Sequence, residues 1–280
     1  MIITRLIGGL GNQLFQYAIG RAITHKNSDI LKLDITGFKN YKLHNGYRLN
    51  AFNIDEKIAD ISEIKRFGVK NRVLRKLIRM GIFGYKKTFY VEKPENETKF
   101  DPKVFLYQNL YLSGYWQNEK YFSDIRDIIV KEFTLKKSIS ENIAKYMKLI
   151  KNSSSVSIHI RRGDYLNADA SLGIEYYKKA LEYIRERINN PSFFIFSDDI
   201  SWCKENLNFI INPIFIESTT SELEDLELMK NVKHNIIANS SFSWWAAWLN
   251  ENEEKIVIAP KVWFKNRAGF DPVPEAWIKL

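Results

Sequence analysis

The sequence predicts an α/β protein whose C-terminal half is a mostly parallel sheet covered by helices on both faces. Three observations carry this expectation. Short apolar runs recur near residues 155–160, 193–197, 213–217, 235–238 and 255–259, each the length of a buried strand. Segments with helical spacing of apolar residues, near 174–189, 201–208, 221–231 and 242–250, fit between them, which is the alternation that winds a parallel sheet. A further strand, glycine turn and helix opens the chain.

In chain order, residues 2–7 read as a buried strand. Gly8-Gly9-Leu10-Gly11-Asn12-Gln13 follows, and then Leu14, Phe15, Ala18, Ile19, Ala22 and Ile23 at helical spacing. The N-terminus of such a helix can face an anion or a sugar. A second strand, 30–33, leads to Asp34, as in a dinucleotide-binding unit, but Leu14 stands where that fingerprint needs its third glycine. Asn12 and Gln13 suit hydroxyl or phosphate contacts beside the turn. Residues 39–109 follow no clean period and are rich in aromatics, which serve carbohydrate sites but more often pack half-buried. Residues 111–118 read as a strand ending in a tight turn with polar tips. Helices are expected at 119–133 and 140–150. Lys151-Asn152-Ser153-Ser154-Ser155 reads as a linker, dividing the chain into 1–151 and 152–280. Ser221 and Glu224 have the spacing of a capping box.

A formal net charge of +9 over 280 residues calls for anionic partners: nucleic acid, a membrane face or a phosphorylated small molecule. Residues 65–87 concentrate cations without an acid among them. Arg72, Arg75, Lys76 and Arg79 would share a helical face, with Val73, Leu74, Leu77 and Ile78 on a broad apolar side. That pattern fits an interfacial amphipathic helix and equally a solvated face packed on the domain. The lone Cys203 excludes an intrachain disulfide framework and a cysteine-based zinc cluster. No apolar run of about eighteen residues offers a membrane span. The opening residues lack the form of a signal peptide, so the chain reads as cytoplasmic.

Three predicted strand ends carry the chemistry. The first strand of the C-terminal half ends in His159-Ile160-Arg161-Arg162-Gly163-Asp164 and the second in Ser197-Asp198-Asp199. The fourth ends in Asn239-Ser240-Ser241-Phe242-Ser243-Trp244-Trp245 and runs into a helix. In a parallel sheet all three gather at the carboxyl edge, where ligands bind. Adjacent guanidiniums suit phosphate, and Asp164 can pair with one of them. Hydroxyls and amides at a helix N-terminus add donors, and a carboxylate can accept from guanine N1–H and its amine. The set is complementary to a purine nucleoside diphosphate. Each cluster also has a structural reading: Ser-Asp-Asp and Asn-Ser-Ser as helix caps, the tryptophans as core, the Arg–Asp pair as a surface turn. Asp164 and Asp169 lack the spacing of an Asp-x-Asp metal motif, and Asp198 and Asp199 are adjacent.

Together with the opening Gly8-Gly9-Leu10-Gly11-Asn12-Gln13-Leu14-Phe15-Gln16-Tyr17, these three motifs resemble those of the α-1,2-fucosyltransferases of glycosyltransferase family 11. The resemblance spans nearly the whole chain and is weakest over 39–109. It implies a GT-B-like fold, two Rossmann-like domains facing across a cleft, with 1–151 on the acceptor side and 152–280 binding GDP-fucose. It implies inverting, metal-independent transfer of L-fucose from GDP-β-L-fucose to the 2-hydroxyl of a terminal galactose, in synthesis of bacterial surface polysaccharide (O-antigen). By that similarity Arg161 contacts the β-phosphate, and His159 and Asp199 the guanosine, with Arg162 and Asp198 in the same donor-binding group. Ser241, Phe242 and Ser243 present hydroxyl and backbone groups to the diphosphate. Asn12 and the Gly11 backbone approach the fucose and the acceptor. Asp164 and Asp169 are the nearest carboxylates to take the acceptor proton, and the residues do not choose between them. No cofactor beyond the donor substrate is implied. A non-catalytic nucleotide- or sugar-binding module is the nearest rival. A basic nucleic-acid-binding protein is another, but nucleic acid does not explain why acids, serines and arginines sort onto three strand ends. If the acceptor is lipid-linked, residues 65–87 would hold the enzyme at the anionic inner face of a membrane.

Overall fold

Every pairing between named strands is parallel in the structure, a computed structural model that describes residues 1–41, 44–67, 73, 76–77, 80, 88–93, 96–138, 140–163 and 171–280. The chain divides into two units, Met1–Lys137 and Ser138–Leu280.

The first unit runs β1 (Ile2–Arg5), α1 (Leu10–Asn27), β2 (Leu31–Asp34), α2 (Ile61–Phe67), β3 (Phe89–Val91), β4 (Leu110–Ser113) and α3 (Arg126–Glu132). Among the described residues its sheet has the order β2-β1-β4-β3. Strand β3 lies inside the stretch without a clean period. It is three residues long, and Phe89 stacks on Tyr111 of β4 at 5.6 Å. The helix expected at 119–133 forms only at its end, as α3. Before it come 3-10 turns at Glu119–Tyr121 and Ser123–Ile125. The Asn118 side chain accepts from Lys120 N at 2.9 Å, and Phe122 at φ −142° interrupts the helical run. Scattered aromatics here pack on one another: Trp116 against Tyr90 and Tyr121, Phe100 against Tyr121.

The second unit runs α4 (Glu141–Lys151), β5 (Ser154–Ile160), α5 (Ile174–Arg185), β6 (Pro191–Ser197), α6 (Ile200–Asn206), β7 (Ile214–Phe215), α7 (Glu222–Lys230), β8 (His234–Ile236), α8 (Ser241–Leu249), β9 (Val257–Ala259) and β10 (Ile278–Lys279). The sheet order is β10-β9-β8-β5-β6-β7. Its boundary falls one helix earlier than the serine-rich stretch suggests. Helix α4 packs on α7 and β5, and Tyr146 OH donates to Phe215 O at 3.4 Å. Ser154 and Ser155 begin the central strand instead of a linker, and the buried Ser155 hydroxyl accepts from Lys233 N at 3.1 Å.

Alternation along β5 sorts its side chains. Val156, Ile158 and Ile160 join the core with Tyr177, Leu181 and Cys203 of α5 and α6. Ser157 and His159 point to the opposite face, where Asn235 Nδ2 donates to Ser157 Oγ at 2.8 Å and Phe242 of α8 lies beside His159. Trp244, Trp245 and Trp248 are core, as their structural reading has it. The capping box does not close: Ser221 makes no side-chain cap bond, because Glu224 takes the Thr220 N–H at 2.7 Å and its hydroxyl at 3.1 Å. In the basic stretch Lys65 and Arg66 end α2, whereas Arg72, Arg75, Arg79, Leu74 and Ile78 lie outside the described residues. Among those described, no helix is long and apolar enough to cross a membrane.

Candidate active site

From β5 the chain steps one way through β6 and β7 and later the other way through β8, β9 and β10, so the order reverses between β5 and β8. Ligands of parallel sheets bind outside the carboxyl ends of the strands at such a reversal. Arg161 and Arg162 leave β5 there, Ser240 and α8 follow β8, and Asp198 and Asp199 follow β6 next door. Because Ile160 pairs with Ser197, the residues just beyond each strand face one another. Asp198 Oδ1 accepts from Arg162 N at 2.9 Å, and Asp198 Oδ2 lies 3.1 Å from Arg161 Nη1. Arg162 Nε donates to Asp199 Oδ2 at 3.2 Å, and its guanidinium lies 3.7 Å from the centre of the Trp202 ring. The second Asp199 oxygen caps α6, accepting from Trp202 N at 3.1 Å.

Strand register gives Arg162 two partners that its sequence neighbourhood did not show, Asp199 and Trp202. Asp164 and Asp169 lie outside the described residues. Asp199 combines the capping role with the ion pair, so each of its oxygens already has a protein partner. Trp202 escaped notice in the sequence. Its place three residues after Asp199 signals the cap but not the ring under Arg162.

His159 is 5% exposed, and burial, then the Arg161 charge, pushes its imidazole down to about 3. Among the described residues its buried Nδ1 has no hydrogen-bond partner. The ring is therefore neutral at ordinary pH and retains one polar atom for a ligand. The folded-state value lies below the unfolded one, so the unfolded chain takes up the proton first. Stability is full above pH ~6.5 and is lost as pH falls toward 3. Relative to a His159→Asn variant, the wild-type chain should lose about 2 kcal/mol between pH 7 and 5 in denaturant titrations. Burial, with Glu222 and Glu224 and against a Thr219 hydrogen bond, raises Asp225 to about 6, which acts in the opposite sense in both proteins and cancels.

At the start of α8 the Ser240 hydroxyl caps the helix, accepting from Phe242 N at 3.3 Å. Ser243 was expected to offer its hydroxyl outward, but it donates to Ala238 O and Ser240 O at 3.4 and 3.3 Å and is buried. What this end presents is the first-turn amides of Ser241 and Ser243 with the positive end of the helix dipole. Arg161, at that same carboxyl edge, completes a cationic and amide-rich surface suited to a diphosphate.

In the first unit, the carboxyl edge carries Gly11 and Asn12 in the first turn of α1. Gly9 caps that helix without a side chain, and Gly8 takes φ 77°, where L residues are strained. Gln13 fixes the turn, donating to Gly8 O at 3.0 Å and Gly46 O at 2.8 Å and accepting from Arg48 N at 2.9 Å. Asn12 Oδ1 accepts from Gln117 Nε2 at 2.8 Å. Asp34, the carboxylate a dinucleotide would need, is buried and accepts from Thr36 and Tyr111.

The family model described as Glycosyl transferase family 11 matches residues 1–271. The Alpha-1,2-colitosyltransferase of Escherichia coli is 38% identical, covering 100% of this chain and 99% of the relative. The O-antigen biosynthesis glycosyltransferase WbnK of Escherichia coli is 33% identical, covering 98% and 99%. The Galactoside 2-alpha-L-fucosyltransferase SEC1 of Bos taurus is 29% identical over 49% of this chain and 41% of its own. Among solved structures, fucosyltransferase NodZ from Bradyrhizobium aligns with a TM-score of 0.54 at 12% identity, covering 88% of this chain and 91% of NodZ. At that identity the likeness is one of fold, GT-B-like, built from α/β units with parallel sheets.

Proposed function

The chain belongs to glycosyl transferase family 11, and on that premise we propose that it moves L-fucose from GDP-β-L-fucose to the 2-hydroxyl of a terminal galactose, with inversion and without a divalent metal. The observation that carries the reading is Arg161, held by Asp198 at 3.1 Å beside the β5/β8 reversal and the start of α8. As the bond to the sugar breaks, negative charge grows on the leaving GDP and the ring gains oxocarbenium character. A guanidinium and helix amides aimed at the β-phosphate then bind the transition state more tightly than the ground state. In this reading they do the work a divalent cation does elsewhere. The neutral His159 faces the base, and Asn12 faces the sugars. A proton acceptor of modest strength is enough for a hydroxyl attacking a nearly free cation, and Asp164 and Asp169 are the candidates for it. O-antigen synthesis, named for the relative WbnK, supplies a glycan acceptor for this reading.

A second donor has a specific observation in its favour: the 38%-identical relative is a colitosyltransferase, and colitose is L-fucose without its 3-hydroxyl. The two readings predict opposite selectivities. A site that hydrogen-bonds the 3-hydroxyl rejects the deoxy sugar by about 10⁴-fold, whereas a site shaped for the deoxy sugar rejects the hydroxylated one by only about 10²-fold. Competition between GDP-fucose and GDP-colitose on one β-galactoside, read as relative kcat/KM by mass spectrometry, separates them. Fucose preference is the expected result, and a 10²-fold preference for colitose transfers the proposal to that sugar. Transfer from neither leaves a binding module.

A further inference from the structure

The first unit holds a strained loop whose visible product is one hydrogen bond. Trp116 adopts φ 58°, a left-handed conformation that is an outlier for a bulky side chain, and its buried Nε1 has no hydrogen-bond partner among the described residues. Strain of this kind persists only where surrounding contacts over-determine it. Those contacts are present. The buried Glu92, just after β3, accepts from Tyr115 N at 2.6 Å and Trp116 N at 3.0 Å. Gly114 admits this carboxylate, because a Cβ there would lie 2.4 Å from Glu92 Cβ. Gln16, from the middle of α1, donates to Gly114 O at 3.1 Å. The next residue is Gln117, 8% exposed, and its Nε2 reaches Asn12 Oδ1.

Asn12 has no other hydrogen bond among the described residues, and its Nδ2 sits 2.6 Å from where a Gly8 Cβ would be. An asparagine amide can present either its carbonyl or its NH₂. With Oδ1 turned toward a buried donor, the amide is fixed with its NH₂ on the opposite side, where both N–H groups are left for a ligand. We propose that Gln117 is a positioning residue that locks the Asn12 side chain with its NH₂ presented at the carboxyl edge of the sheet, as a donor to a sugar hydroxyl oxygen. This rests on the proposed function insofar as Asn12 meets sugar. The lock itself does not depend on it. The Glu92–Gly114–Trp116 assembly is then a rigid bracket for Gln117, in which local strain offsets the freedom of a side chain that must not turn.

Gln117→Glu tests this directly, because a carboxylate cannot donate to Oδ1 and instead draws Nδ2 inward, turning the carbonyl outward. Two arms are needed. In side-chain amide NMR of the full chain, the Gln117 NH₂ should be the protected one in the wild type. Asn12 NH₂ should exchange readily there and become protected in Gln117→Glu. In turnover, kcat/KM toward the acceptor should fall about 100-fold, matching Asn12→Asp, which also puts an oxygen outward. The affinity for GDP measured by calorimetry should stay within twofold. If Gln117→Glu fails to fold, Gln117→Met keeps the packing without the donor and should lose about tenfold in kcat/KM. Unchanged Asn12 protection in Gln117→Glu, or a Gln117 NH₂ that exchanges as freely as the Asn12 NH₂ in the wild type, overturns the lock. Wild-type protein without transfer activity sinks the functional reading alone, since the NMR arm still decides on Gln117. Altered protection with unchanged turnover would show that the lock exists but does not position Asn12 for transfer, which overturns the proposed role.

Discussion

Arg161→Lys is expected to lower kcat at saturating donor by about 10²–10³-fold, the usual loss when one preorganised donor to a developing anion is removed. Lysine keeps the charge but not the planar fork, so two parallel bonds to phosphate become one movable contact. The fold should survive, because the Arg161–Asp198 pair is partly exposed and a lysine can satisfy Asp198 at this distance. Arg162→Lys should behave differently. It removes the guanidinium from the face of Trp202 and from Asp199 at the start of α6, and so disturbs the loop itself. The pair is read by steady-state kinetics beside circular dichroism. If Arg161→Lys turns over within about threefold of wild type, Arg161 is not the group that faces the leaving phosphate.

Trp244→Ala should destabilise the protein by about 3–5 kcal/mol, a large share of the ~5–15 kcal/mol that holds a typical protein folded. Trp244 is fully buried, its ring meets Trp245, Trp248 and Trp277, and its indole N–H donates to Pro272 O at 2.9 Å. Truncation opens a cavity among three aromatics and leaves a buried carbonyl without its donor. The consequence reaches the site, since α8 carries Ser241 and Phe242 on its first turn and this cluster along its length. Denaturant unfolding monitored by fluorescence measures the loss, and Trp244→Phe, which retains most of the volume, should lose less.

The fold of the second unit was legible because its strands bury both faces. Phe193-Phe194-Ile195-Phe196 admits no other reading at that length, and the helices between such runs show their period plainly. The first unit was less so. Phe89-Tyr90-Val91 is too short to stand out among unperiodic aromatics, and the apolar spacing at 119–133 is interrupted by the Asn118 cap and the twist at Phe122. The serines at 154–155 read as a linker because polarity was taken for exposure. They are the first residues of the central strand, and Lys233 N satisfies the second of them. In the candidate site, the identities of His159, Arg161, Arg162, Asp198 and Asp199 followed from their places at strand ends. Their pairing did not, because it depends on the register of β5 against β6. The polar tips of 111–118 were legible, but the partner of Gln117 was not: Asn12 follows β1, the neighbour of β4 in the sheet, and lies 105 positions away.

The most direct test of a metal-free, arginine-assisted fucosyl transfer is a product analysis in excess EDTA. Wild-type protein incubated with GDP-β-L-fucose and a β-galactoside should release GDP and yield an α-1,2-linked fucosyl product by NMR, with rates unchanged by the chelator. GDP binding without product across a panel of galactosides would contradict the reading, as would a product that vanishes in EDTA and returns with added divalent cation.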